Sequence, residues 1–133
     1  MSHDKSLSIL VIDDSEIIRE RIIEIICRIK KNITIFHADN FREGLKQFIS
    51  SPPEIIILDI QLKDGDGMDL LNIIKSRSPN THVIILTNYP FPVFKDYCIK
   101  YGAEYFLDKS NDFEKLQEVI SKIFINHTTN KIN

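Results

Sequence analysis

The chain has little of several things, and each scarcity excludes something. It has two cysteines, Cys27 and Cys98, which form no CxxC pair and no metal-ligand spacing. That rules out a disulfide framework, and so cysteine-poor a chain fits a reducing, cytoplasmic compartment. The four histidines (His3, His37, His82 and His127) are scattered, which argues against a zinc site. With four glycines and five prolines, the chain has no Gly- or Pro-rich linker that would divide it. No apolar run approaches the roughly 18 residues that a membrane span needs. The N-terminus, Met1 to Ser6, carries no apolar signal region. Nor does one charge dominate: a net charge of −2 gives no reason to expect nucleic acid as a partner.

What is present fits one domain. The 133 residues are 43% apolar and 27% charged, enough to bury a core without staples. Leu7 to Ile12 reads as a strand covered on both faces. Asp13-Asp14-Ser15 ends it, with Ser15 placed to cap a helix. Ile18, Ile22, Ile25, Ile26 and Ile29 then share one helical face. Ile33 to His37 is a short second strand. Asn40 and Glu43 form a capping pair for a second helix, whose inner face is Phe41, Leu45, Phe48 and Ile49. Pro52-Pro53 stops it.

Glu54 to Asp59 is an isoleucine-rich third strand that ends in a carboxylate, followed by a turn carrying Gly65 and Gly67. Met68, Leu70, Leu71 and Ile74 mark a third helix. His82 to Thr87 is a fourth strand, ending in a hydroxyl, and Asn88-Tyr-Pro-Phe-Pro92 is a stiff loop. Phe94, Tyr97, Cys98 and Tyr101 form a fourth helix face, closed by Gly102. Glu104 to Leu107 is a fifth strand, followed by Asp108-Lys109-Ser110. Asn111 and Glu114 are placed to cap a last helix, with Phe113, Leu116, Ile120, Ile123 and Phe124 inward. The domain is expected over residues 7–125, between an N-terminal tail (1–6) and a frayed polar C-terminal tail (126–133). Five strands alternating with five helices imply a flavodoxin-like α/β/α sandwich. Its five-stranded parallel sheet is expected in the order 2-1-3-4-5.

The placement of polar residues carries the functional argument. The first strand ends at Asp13 and Asp14, the third at Asp59, the fourth at Thr87, and the fifth just before Lys109. Alone, each is an ordinary cap, turn or surface residue. In an open parallel sheet, however, the carboxyl ends of the strands share one edge, where ligands bind at the switch point. Three carboxylates brought together need a cation, and a hard divalent ion such as Mg2+ (or Mn2+) suits such a site. The ion would also neutralise phosphoryl oxygens, so a carboxylate can approach phosphorus. Thr87 can donate to a phosphoryl oxygen and Lys109 can balance charge. That leaves Asp59, on a central strand, as the attacking group that forms an acyl phosphate.

The ordered set Ile-Asp13-Asp14-Ser, Ile-Leu-Asp59, Gly67, Leu-Thr87, Gly102-Ala103 and Asp-Lys109 resembles a response-regulator receiver domain of two-component signalling, the CheY-like superfamily. The resemblance runs from about Leu7 to Phe124. It implies Asp59 as phosphoacceptor, served by a histidine kinase or phosphotransfer protein. It implies Asp14 as a direct metal ligand, helped by Asp13, with the Gln61 backbone carbonyl as another. Thr87 would move toward the phosphoryl group, Lys109 would pair with it, and Phe106 occupies the aromatic switch position. The face of the fourth helix, fifth strand and fifth helix would carry the signal to a protein partner. Such a protein is not an enzyme beyond its own phosphorylation and dephosphorylation. Whether it pairs as a phosphorylation-dependent homodimer is left open by these residues.

Four departures stand against the family pattern. Ser110 follows the lysine where proline is usual, so a cis bond there is not expected. Asn88 follows Thr87 where a smaller residue is common, and is expected to narrow access. Lys63 replaces a proline, which is expected to loosen the loop after the acceptor. Pro90 and Pro92 stiffen the entry to the fourth helix. Because the chain ends after the fifth helix, a stand-alone receiver is expected. Two alternatives compete with it. One is a degenerate receiver that binds a protein constitutively; the intact acidic set, Thr87 and Lys109 argue against it. The other is an aspartyl-phosphate phosphatase or phosphotransferase, which would carry an Asp-x-Asp pattern after the first strand, where Asp13-Asp14-Ser15 stands.

Overall fold

A computed structural model describes residues 7–29 and 32–132, with side chains as far as Asn126. The expected N-terminal tail, residues 1–6, lies outside the described residues. The elements are β1 (Leu7–Ile12), α1 (Glu16–Ile29), β2 (Ile33–Ala38), α2 (Phe41–Ser50), β3 (Ile55–Leu58), β4 (Gln61–Leu62), β5 (Gly65–Asp66), α3 (Gly67–Arg77), β6 (His82–Thr87), α4 (Pro92–Lys100), β7 (Tyr105–Asp108) and α5 (Lys115–Ile132). The main sheet is wholly parallel, in the order β2-β1-β3-β6-β7. That is the expected flavodoxin-like order, with β6 and β7 as the fourth and fifth strands.

Strand parity divides the core. Ile9, Val11, Ile55, Ile57, Ile84, Leu86 and Leu107 point to one face, where Ile22 and Ile26 of α1 and Leu116 and Ile120 of α5 cover them. Leu10, Ile12, Ile56, Leu58, Val83 and Ile85 point to the other, covered by Phe48 of α2, Leu70, Leu71 and Ile74 of α3, and Cys98 of α4. Alternate residues of one strand thus feed two separate cores, which is why these strands read as unbroken apolar runs. Central β3 is buried at every residue.

The caps mostly follow the residues expected to make them. Ser15 Oγ accepts the Ile18 N–H at 3.3 Å, and Asn40 Oδ1 accepts the Glu43 N–H at 2.7 Å. Gly102, just past α4, sits at φ 108°, a left-handed geometry that L side chains avoid.

Five expectations need correction. Asn111 and Glu114 do not cap α5, which begins only at Lys115. Asn111 Nδ2 instead donates to Asp108 Oδ2 at 2.9 Å, because an Asx side chain satisfies a tight turn as readily as a cap. Tyr101 does not lie on the inner face of α4, which it ends, nor Ile49 on that of α2: both are exposed. Residues 126–132, expected as a frayed tail, continue the backbone of α5 to Ile132. Finally, the loop after Asp59 is not loosened by Lys63. It folds into the antiparallel β4–β5 hairpin, and Asp64 at its tip accepts the α2 N–H groups of Phe41 at 2.6 Å and Arg42 at 3.0 Å. Lys63 itself lies 3.7 Å from Asp39. No peptide bond among the described residues is cis.

Candidate phosphoacceptor site

The register of the sheet assembles the site. Ile12 pairs with Leu58, so the next residues, Asp13 and Asp59, leave neighbouring strands side by side, and the Asp59 N–H still reaches the Ile12 carbonyl at 3.0 Å. Thr87 pairs with Asp108, which puts Lys109 one step beyond, its N–H donating to the Thr87 carbonyl at 2.8 Å. Residues distant in the chain therefore meet because parallel strands of matched length end together.

At the meeting point, Lys109 Nζ lies 2.6 Å from Asp13 Oδ2 and 3.0 Å from Asp59 Oδ2. All three residues are buried, with Asp13 2%, Asp59 6% and Lys109 8% exposed. Asp14 is exposed, yet carboxylate oxygens of Asp13, Asp14 and Asp59 fall within 4.8 Å of one another. Gln61 is exposed and donates its backbone N–H to Asp59 Oδ1 at 3.3 Å. Thr87 is fully buried; its Oγ1 accepts the Tyr89 N–H at 2.9 Å, leaving its own O–H to donate. Phe106 is half-buried against the Ile85 and Cys98 side of the core. The structure thus brings Asp13, Asp14, Asp59 and Lys109 together, sets Gln61 against Asp59, and holds Thr87 in backbone contact with Lys109.

One ammonium is shared between two buried carboxylates, and the acidity of Asp59 records the deficit. Burial pushes its pKa up to about 6; the charge of Lys109 opposes this and that of Asp13 adds to it. Burial alone would lower the pKa of Lys109, but its hydrogen bond to Asp13 and the charges of Asp59 and Asp13 outweigh that and raise it.

Gly67 keeps the loop after Asp59 tight. A Cβ there would stand 2.1 Å from the Asp59 carbonyl oxygen and 2.8 Å from Ile60 Cα, so only glycine fits. Two contributors had no sequence-level signal beyond their charge. Arg19 folds back to donate Nη1 to the Asp13 carbonyl at 2.8 Å, and its Nε is buried without a partner among the described residues. Asp64 ties the loop after Asp59 to α2, as described above.

An all-oxygen set of three carboxylates, facing too little positive charge, fits a hard divalent cation. Fold and site together define a flavodoxin-like domain with an acidic pocket at the switch point of its sheet. The chain belongs to the response regulator receiver domain family, which it matches over residues 9–121. It is a receiver domain of the kind found in response regulators of two-component signalling.

Among curated relatives, it is 26% identical to the photosynthetic apparatus regulatory protein RegA of Cereibacter sphaeroides over 113 residues, covering 85% of this chain and 60% of that protein. It is 31% identical to the response regulator protein PilR of Pseudomonas aeruginosa over 121 residues, covering 91% of this chain and 26% of PilR. The chain thus spans about half or less of most such relatives: 60%, 46% and 26% of RegA, of LytT of Bacillus cereus and of PilR. Solved structures of receiver domains share its fold, among them the following two. The signal receiver domain of a DNA binding response regulator from Colwellia psychrerythraea superposes with TM-score 0.83 at 22% identity, covering 89% of this chain and 98% of that one. The CheY-like receiver domain protein of Methanospirillum hungatei gives 0.82 at 21%, covering 94% and 99%.

Proposed function

We propose that Asp59 accepts a phosphoryl group and that this biases a conformational switch read by a protein partner. The observation that carries the proposal is the pair of buried carboxylates, Asp13 and Asp59, sharing one buried ammonium, with Asp14 within reach. Mg2+ (or Mn2+) would be held by Asp13, Asp14, Asp59 and the Gln61 carbonyl; when bound, it supplies the charge that lets a carboxylate approach a phosphoryl group. Asp59 is the nucleophile. One of its carboxylate oxygens forms a bond to phosphorus, and the bond from phosphorus to the donor breaks, the donor keeping that electron pair. A phosphohistidine on a histidine kinase or phosphotransfer protein is the donor class.

Lys109 stays within reach of the acceptor and offsets the added charge. The Thr87 O–H donates to a phosphoryl oxygen, and Phe106 turns with it. The chain catalyses nothing beyond its own phosphorylation and dephosphorylation. Exposed apolar residues support a protein output through α4, β7 and α5: Phe91, Val93, Ile99 and Tyr101 all lie on or beside α4. Such a switch works by differential contacts to two states.

No helix among the described residues is long and apolar enough to cross a membrane. The proposal is tested by incubating the chain with magnesium and a small-molecule phosphodonor. The wild type is expected to gain one phosphoryl group and Asp59→Asn none; equal labelling of both would defeat the assignment.

A further inference from the structure

Lys109 is followed by Ser110, and the chain closes residues 108–112 into a hydrogen-bonded ring. The Asp108 N–H donates to Asp112 Oδ2 at 3.0 Å, and the Asp112 N–H donates back to the Asp108 carbonyl at 2.7 Å. Inside the ring, Asp108 Oδ1 accepts the Ser110 N–H and Oδ2 accepts Asn111 Nδ2, both at 2.9 Å. Proline at 110 could not make the first of these, since it has no N–H. Lys115 Nζ lies 3.0 Å from Asp112 Oδ1, leaving Oδ2 for the ring. On its other side, Lys109 is held by its backbone bond to Thr87. The ammonium therefore reaches Asp13 and Asp59 from a backbone anchored on both sides. A lysine side chain loses considerable rotamer entropy when held in one geometry, so an anchored backbone matters to where it sits.

We infer that Asp112 is a positioning residue for Lys109: by closing the ring, it holds the ammonium over Asp13 and Asp59. The inference rests on the proposed function. Lys109 and a divalent cation compete for oxygens of the same two carboxylates, whereas transfer to Asp59 needs Lys109 close by. Loosening the ring therefore acts with opposite signs on metal binding and on phosphorylation. General loosening of the fold would weaken both.

The test takes the full chain through two assays: calorimetric titration with magnesium chloride, and the rate of phosphorylation by a small-molecule phosphodonor. In Asp112→Ala, magnesium is expected to bind about threefold tighter and phosphorylation to slow about tenfold, the scale of one weakened charge-assisted hydrogen bond. Asp112→Asn, whose amide oxygen still accepts from Asp108, is expected to restore both values. Asp112→Ala that matches the wild type in both assays, or weakens both, overturns the inference. Should Asp112→Ala not fold, Asp112→Glu, whose longer side chain misplaces the acceptor for the Asp108 N–H while keeping the charge, is read in the same assays with the same signs expected. A wild-type chain that takes up no phosphoryl group overturns the proposed function; the magnesium titration then still decides the role of Asp112, with tighter binding in Asp112→Ala supporting it and unchanged or weaker binding overturning it.

Discussion

The two ends of one sheet handle charge in opposite ways. Where the strands begin, Glu54 accepts from the Ser8 N–H at 2.8 Å and the Ser8 hydroxyl at 3.2 Å, and His82 pairs with Glu104. Lys75 donates to the carbonyls of Pro79 at 2.7 Å and Thr81 at 2.8 Å. The His82 and Glu104 side chains keep 30% and 40% of their surface in water. Each of these charges has a nearby partner, and the end acts as a seam. Where the strands finish, Asp13, Asp59 and Lys109 are all less than a tenth exposed, and one ammonium serves both carboxylates, Arg19 donating there only to a backbone carbonyl. The same strands make both ends, so the backbone does not explain the contrast. What differs is that the finishing end buries acids without a base for each. An unmet demand for positive charge, held in a low-dielectric pocket, is what a metal or phosphoryl site needs and a structural seam does not.

The largest effect that can sharpen this comparison comes from removing the lysine at each end. Lys109→Met leaves two buried carboxylates without a counter-charge. It is expected to cost about 3 kcal/mol of stability in metal-free buffer at neutral pH, the usual scale for breaking a buried pair. Lys75→Met, at the seam, is expected to cost about 1 kcal/mol, since it loses only hydrogen bonds in a half-exposed place. Urea unfolding of both variants measures the gap, and equal losses would erase the distinction between the ends.

The next effect concerns Asp59 itself. Its carboxyl titrates at about 6 in the fold against an ordinary 3.8. The folded chain therefore holds this proton more tightly than the unfolded chain. The contribution of Asp59 to metal-free stability is greatest below the ordinary value and falls as pH rises through that window, by up to about 3 kcal/mol. Asp59→Asn removes the fall. It is expected to be more stable than the wild type by about 1–3 kcal/mol at pH 7, with the gap closing in acid. Unfolding curves across pH in metal-free buffer check both the sign and the window.

The smallest effect lies at the seam. Glu104→Gln is expected to cost less than about 1 kcal/mol, as partly exposed ion pairs do. A loss as large as that of Lys109→Met would mean that the seam, too, depends on its charges.

How far the chain could be understood before its structure was known follows from the same contrast. Strands of isoleucine and leucine announce themselves when both faces are covered, so β1, β3 and β6 and their order were legible. The acidic set was legible for a related reason. Once five parallel strands are accepted, residues that end them must share an edge, however far apart they lie in the chain. What stayed hidden was short or local. The β4–β5 hairpin has only two residues in each strand, too few to show a period. In the turn before α5, Asn111 and Asp112 both bond to Asp108, and the two have nearly the same capping chemistry. Arg19 looked like one more polar residue on α1, because nothing in a helical pattern tells whether an arginine turns outward or folds back on the preceding strand. Asp64 was one acid among several in a turn, and its role depends on where α2 begins in space.

The central claim, that the charge-starved end is a phosphoacceptor centred on Asp59, is tested most directly by trapping the modified residue. After incubation with a small-molecule phosphodonor and magnesium, borohydride reduces an acyl phosphate to an alcohol, and peptide mass spectrometry locates the change. The account predicts homoserine in place of Asp59 and an unaltered Asp13 and Asp14. Reduction at another residue, or at none, would contradict it.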